Sequence, residues 1–412
     1  MSNTLCKIHF DSAANLINSK ALKKLKHIFN SIIWTLVGVY VLLTVLVHLS
    51  PVQHFLGSQV SSVLADKFDT KVTVGSVNLG FFNRIIIDDV MMYDQKGDSM
   101  IYASRISAKV SLLPLLNHKI SIASAQLFGL KANLYQQTAQ SKHNFQFVLD
   151  SLASKDTTKH TPLDLHIGSL IIRHGAVKYD KRYIASQPGV FSPAHISISD
   201  LSTHIIANHI TDDAINLHIK KLAFRDKSGL QLNSLSFKLD ADKREASLKE
   251  FELQLPHSDI TLGDIHATYR FDNGKLVMPT LQYSGSIEQS KITLSDIACL
   301  LPIFRHFEDA VFFETQFTGT STSLRCQKIN FKTGSGSINL QAKGRISDWN
   351  SRPAWDVDIA NLNLTEESIS FISHNLGKKI NVPKEVTRLG GIHYVGHLSG
   401  HGDRLSSKGR LE

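Results

Sequence analysis

The segment Ile215–Leu239, INLHIKKLAFRDKSGLQLNSLSFKL, decides the fold. Two alternating apolar runs flank Asp226-Lys-Ser-Gly229, the composition of a β-hairpin turn. Leu217, Ile219, Leu222 and Phe224 stand at relative positions 0, 2, 5 and 7 of the first arm. Leu230, Leu232, Leu235 and Phe237 repeat that spacing in the second. A regular strand keeps one parity, because a shift of one residue sends every side chain to the opposite face. One extra residue in the middle, a β-bulge, restores a single apolar face and bends the strand. The hairpin therefore predicts two bent strands sharing one apolar face.

The same spacing recurs on both sides of the hairpin. Upstream it is met by Val72, Val74, Val77 and Leu79, and by Leu165, Ile167, Leu170 and Ile172. Downstream it is met by Ala246, Leu248, Phe251 and Leu253, by Leu324, Cys326, Ile329 and Phe331, and by Val357, Ile359, Leu362 and Leu364. The intervals are irregular, which excludes a solenoid of fixed period. The expected fold is mostly β: an elongated, curved antiparallel sheet with one apolar face and a few short capping helices. Apolar stripes at Phe145, Val148, Leu149 and Leu152, at Ile297, Leu300, Leu301 and Phe304, and at Ile369, Ile372 and Leu376 mark the helical patches. The first β region covers 71–153, the polar stretch 154–161 reads as a loop, and 162–412 continues the sheet. Residues 390–412 still read as strand at the last residue, which suggests a longer protein.

Upstream of the sheet, residues 28–49, IFNSIIWTLVGVYVLLTVLVHL, carry no formal charge besides His48. As a helix they span about 33 Å, against a bilayer core of about 30 Å. The lysines at 20, 23, 24 and 26 place a short tail, 1–27, in the cytoplasm by the positive-inside rule. The expectation is a single-pass membrane anchor with the bulk of the chain exported. A cleaved signal peptide fits less well, since no A-x-A site follows. Residues 50–70 form an amphipathic helix whose face is Val52, Phe55, Leu56, Val60, Val63, Leu64 and Phe68.

Composition narrows the function. The short tail holds five lysines against one aspartate, nearly half of the formal net charge of +9. What remains is thinly spread, so no nucleic-acid surface is expected. Neither a phosphate-cradling G-x-x-x-x-G-K-[ST] nor a G-x-S-x-G occurs, and the Gly334-Ser335-Gly336 run reads as a hairpin turn. The acidic pairs Asp88-Asp89, Asp212-Asp213 and Glu366-Glu367 are sequence neighbours, which on strands face opposite ways. His393, His397 and His401 share one face but lie about 13 Å apart at each step, too far to converge on a metal. No catalytic set, metal site or cofactor is expected. Cys299 and Cys326 either pair or act as two buried thiols.

A bent sheet with one apolar face must pack a second layer against it or hold a ligand. A two-chain phospholipid has about 30 CH₂ groups, and exposing them to water costs on the order of 25 kcal/mol. A continuous apolar trough removes most of that penalty without catalysis.

The order anchor, proline, amphipathic helix, then VTVGSVNLGFFNRIIIDDVMMYDQKGDSMIYASRISAKVSLLPLLNHKISIASAQLFGL resembles the start of the AsmA/TamB family. The wording is closest to the TamB-like proteins of Bacteroidota. SKITLSDIACLLP and GGIHYVGHLSGHGDRLSSKGRLE resemble segments of the family's repetitive middle. The resemblance implies an inner-membrane anchor with the bulk of the chain in the periplasm, and a sheet forming an open hydrophobic groove for phospholipid traffic to the outer membrane. For the TamB branch it also implies an Omp85-type barrel partner, docked through a C-terminal domain missing here, and autotransporter assembly. The groove-lining residues are then Val72, Val74, Val77, Leu79, Leu165, Ile167, Leu170, Ile172, the two arms of the hairpin, and Val357, Ile359, Leu362 and Leu364.

Overall fold

The computed structural model describes residues 26–42, 45–46, 49–80, 83–111, 120–153, 163–164, 168–210, 214–272, 274–375, 390–402 and 404–412. Its body is one sheet of 21 strands laid down in chain order. Val72–Thr73 and Ser76–Leu79 both pair with Arg84–Tyr93, which pairs with Ser99–Ser111. Ile120–Phe128 and Lys131–Gln136 share the next position. Ser169–Lys181 then joins both of them in parallel. From there every step is antiparallel, through His195–Ile210, Ala214–Asp226, Gln231–Asp242 and Glu245–Gln254 to Ile392–His401 and the edge strand Arg404–Leu411. The one parallel join departs from the all-antiparallel expectation. It needs a crossover, and the helix Gln146–Ala153 lies in that connection.

The bulges fall where the spacing demands them. In the central hairpin Leu217 faces Leu239, Ile219 faces Phe237, Leu222 faces Leu235 and Phe224 faces Leu232. Register shifts separate Ile219 from Leu222 and Leu222 from Phe224. Comparable shifts lie between Ser236 and Lys238, Ile287 and Ser290, Cys326 and Ile329, and Ile359 and Leu362. They form a line of bends crossing the sheet. Upstream the device differs: Val74 and Gly75 interrupt the strand, and Gly75 donates its N–H to Asp88 O across a bend at Asp89. Leu230 sits in the turn, its carbonyl accepting from Asp226 N, and not in the strand. Leu165, Ile167 and the side chain of Leu79 lie outside the described residues; the bulge of that later strand falls between Ile172 and Gly175.

Four mid-strand residues adopt left-handed backbone at these bends: Asp89 (φ 54°), His174 (φ 54°), Asp200 (φ 53°) and Glu250 (φ 53°). An L side chain strains there by about 1–2 kcal/mol, whereas glycine does not. Asp200→Gly should therefore raise unfolding stability by about 1 kcal/mol in urea, and Ser199→Gly in the same strand should lower it by about as much. Loss of stability in both would show that the bend does not sit at Asp200.

The N-terminal expectation is corrected. Residues 26–42 are helical and exposed, a length of about 25 Å at 1.5 Å per residue. Among the described residues no helix is long and apolar enough to cross a membrane. This overturns the anchor at 28–49, and with it the inner-membrane placement and the cytoplasmic and periplasmic assignments that rested on it. Residues 43, 44, 47 and 48 lie outside the described residues.

The helix Ser50–Phe68 packs on the first strands. Its buried residues are Gly57 and Phe68, Ser61 Oγ donates to Val72 O at 2.5 Å, and His54 Nδ1 lies 3.0 Å from Gly75 O. Of the expected apolar face, Phe68 is buried, Val52, Leu56, Val60 and Leu64 are half-buried, and Phe55 and Val63 are 62% and 60% exposed. Close backbone approach at Gly57 centres the contact. A second helix, Glu367–Asn375, buries Ser368, Phe371 and Asn375. Phe371 meets Phe307 edge-on at 5.8 Å, joining it to the 3₁₀ turns Leu294–Ile297 and Pro302–Phe304. Cys299 is buried and Cys326 half-buried, both as free thiols.

Candidate functional site

The two faces of the sheet differ in chemistry. On one, cross-strand neighbours form long apolar rows. Val77, Ile87, Ile106, Leu127, Ile172, Thr203, Leu222, Leu235, Leu253 and Ile260 stand opposite one another in unbroken succession. Thr203 is the one polar member, and its hydroxyl donates to Lys221 O. A second row runs Phe313, Phe331, Leu340, Leu362, Tyr394, Leu411. The described groove candidates lie on this face.

Sequence reading missed further members. Ile85, Ile87, Val90 and Met92 face Ala108, Ile106, Ala103 and Ile101, and both sets keep the 0, 2, 5, 7 spacing. Ile196, Ile198, Leu201 and Thr203 do the same one strand later. The signal was present but masked by extra apolar neighbours such as Ile86 and Met91, which blur the alternation.

Burial decides between a closed core and an open trough. Of the predicted lining residues that are described, only Val72, Val77, Leu232 and Ile359 are buried; the others are half-buried. Among the described residues only Met100 and Ala103 are apolar side chains as low as 1% exposed. A face pressed against a second layer would be sealed along most of its length, as protein interiors are close-packed. This face is shielded by its own neighbours and left uncovered.

The opposite face is polar and stitched by cross-strand pairs. Arg105 meets Asp88 at 2.6 Å, Lys343 lies 3.7 Å from Asp358, and Lys328 pairs with Glu314. The histidine series belongs here: His397 Nδ1 lies 2.8 Å from Asp358 Oδ1 and His393 Nδ1 2.6 Å from Asn363 Oδ1. The His397 hydrogen bond holds the Asp358 carboxyl below the usual carboxylate range.

Toward the C-terminal strands the apolar face is floored by aromatic rings over glycines. Tyr283 stands opposite Gly319, Phe317 opposite Gly285 and Trp355 opposite Gly400. A Cβ on Gly400 would come within 2.4 Å of the Trp355 ring, and one on Gly319 within 2.4 Å of Tyr283. Burial pushes the Tyr283 phenol up, with Cys326 adding to it. Gly400→Ala should lift the Trp355 ring, costing about 1–3 kcal/mol by overpacking and shifting its emission to the red. Unchanged emission, once Trp34 and Trp349 are replaced by phenylalanine, would place the ring elsewhere.

No family model, curated protein or solved structure matches this chain. The site therefore speaks through its own chemistry. Among the described residues no group of three His, Cys, Asp or Glu side chains is placed to hold a metal. What the arrangement offers is a long, uncovered apolar surface backed by a charged one. It can shelter hydrocarbon from water.

Proposed function

We propose that the apolar face binds phospholipid acyl chains and lets them pass along the successive strands through water. The observation that carries this reading is the row from Val77 to Ile260, apolar at nine of ten ladder positions and half-buried at eight, with Val77 and Thr203 buried. Each methylene kept from water is worth about 0.8 kcal/mol, so a lipid lying along such a row is relieved of most of its exposure cost. The resemblance to the AsmA/TamB family supports phospholipid traffic in outer-membrane biogenesis as the setting. The reading requires no catalytic step and no membrane anchor.

Neighbours on opposite faces test it. A photo-crosslinking residue at Leu235 in one protein and at Ser234 in another is irradiated in cells. Leu235 serves better than Leu232, which is 7% exposed. Phospholipid attached at 235 and absent at 234 is the expected result; equal labelling, or none in intact protein, sinks the reading.

A further inference from the structure

Arg325 and Arg345 stand directly opposite each other on neighbouring strands. Both are exposed, and among the described residues neither makes an ion pair. Like charges in that position repel, whereas Lys343 and Lys328 on this face are paired with Asp358 and Glu314. The two arginines line a concavity of about 590 Å³ whose wall also carries Thr318, Ser284, Thr320 and His266. No lining residue is acidic. Two carboxylates border it: Glu245 lies 3.9 Å from the wall residue His266, and Asp356, across from Arg345, lies 3.4 Å from His397.

We infer that this concavity is a binding site for a water-soluble phosphate monoester carrying hydroxyl groups. Paired guanidinium forks match the planar oxygen pairs of a phosphate and exchange their mutual repulsion for charge-assisted hydrogen bonds. Serine and threonine hydroxyls and the His266 ring supply partners for hydroxyls on the ester. Arg325 and Arg345 alternate with Cys326 and Gly344, so both guanidinium groups stand on the face opposite the apolar trough, while Tyr283, Leu324 and Ile346 border the concavity from the trough's own positions. A lipid whose chains lie in the trough cannot bring its head group here through the sheet. The ligand is therefore a soluble ester and not the lipid of the trough, and the inference stands apart from the lipid reading.

The test is calorimetric titration of the full chain with glycerol 3-phosphate, inorganic phosphate and glycerol, for wild type, Arg325→Gln, Arg345→Gln and the distant control Arg410→Gln. Binding of glycerol 3-phosphate, tighter than inorganic phosphate, should weaken at least about tenfold in either site variant and stay unchanged in the control. The site variants should melt no lower than wild type, since removing one of two like charges relieves repulsion. Absence of millimolar binding by wild type, or equal binding by all variants, overturns the site. Sedimentation with phosphatidylcholine vesicles containing phosphatidic acid forms the last arm. Loss of vesicle binding in the arginine variants without glycerol 3-phosphate binding would make the ligand a lipid head group and overturn the soluble-ester assignment.

Discussion

Ile219→Asp together with Phe237→Asp abolishes lipid crosslinking at Leu235 while the chain remains folded. The two side chains face each other across the hairpin, are half-buried, and lie on the apolar face in mid-sheet. The Phe237 ring also stacks on Phe251 at 6.2 Å, so it floors the trough on two strands. A carboxylate there meets water in the empty protein but loses it when an acyl chain lies across. Each unpaired polar group so covered costs about 1–3 kcal/mol or more. Two of them weaken lipid binding by about thirtyfold at least, at 1.4 kcal/mol per factor of ten. Leu232 is the wrong place for this charge: at 7% exposed, an aspartate would be buried with or without lipid and would test folding. Ser236→Asp, on the polar face of the same strand, serves as control. The comparison is phospholipid recovered per mole of protein by mass spectrometry. Undiminished lipid in the double variant would remove the trough from any role in binding.

Asp94→Ala should cost about 3–4 kcal/mol of stability, read by chemical denaturation. Asp94 is 3% exposed and closes the turn between two strands. Its Oδ1 accepts from Lys96 N at 2.9 Å and Asp98 N at 3.0 Å. Its Oδ2 accepts from the Tyr135 hydroxyl at 2.8 Å, tying the turn to a strand that follows it by about forty residues. Tyr135 is itself buried, with the Arg182 guanidinium 3.8 Å from its ring centre. Alanine strands all of these donors at once.

The same contact predicts how stability responds to pH. Burial pushes the Asp94 carboxyl up, but the hydrogen bonds from Tyr135, Asp98, Lys96 and Asn144 together outweigh it and leave it below the usual value. A depressed folded value means that its contribution is present above about pH 4 and is lost as pH falls through the folded value. Tyr135 is pushed up to about 12, by burial first and then by Asp94. Its contribution is present below the ordinary tyrosine range near 10 and disappears as pH rises through about 12. Asp94→Asn keeps the shape, removes the charge, and should flatten the acid limb while only shrinking the alkaline one, whose first cause is burial. Limbs unaltered in that variant would assign them to other groups.

How much was legible in the chain can be followed residue by residue. The 0, 2, 5, 7 spacing in the hairpin specified the bulge, because only an inserted residue reconciles a parity change with one apolar face. That reasoning located the register shift beside Ile219 and Leu222 before any contact was known. It failed at Arg84–Tyr93, where consecutive apolar residues hid the same spacing. On Ser50–Phe68 it drew the face too wide, including Phe55 and Val63, which are exposed, beside Phe68, which is buried. Helical periodicity ranks side chains by size and polarity, yet the contact was made at Gly57, where a missing side chain let the helix approach. The membrane anchor was inferred from hydropathy over 28–49, while the helix described spans 26–42.

The amino-acid sequence by itself determined the strand-rich class, the bends and the segregation of apolar from polar faces, because each follows from the alternation of neighbouring residues along one strand. Only the tertiary structure decided the rest: the parallel join of Ser169–Lys181 to two earlier strands, the rows that make the apolar face continuous, and the meeting of Arg325 with Arg345. Those depend on which strands lie side by side and in what register, and pairing between distant segments leaves no trace in the local pattern.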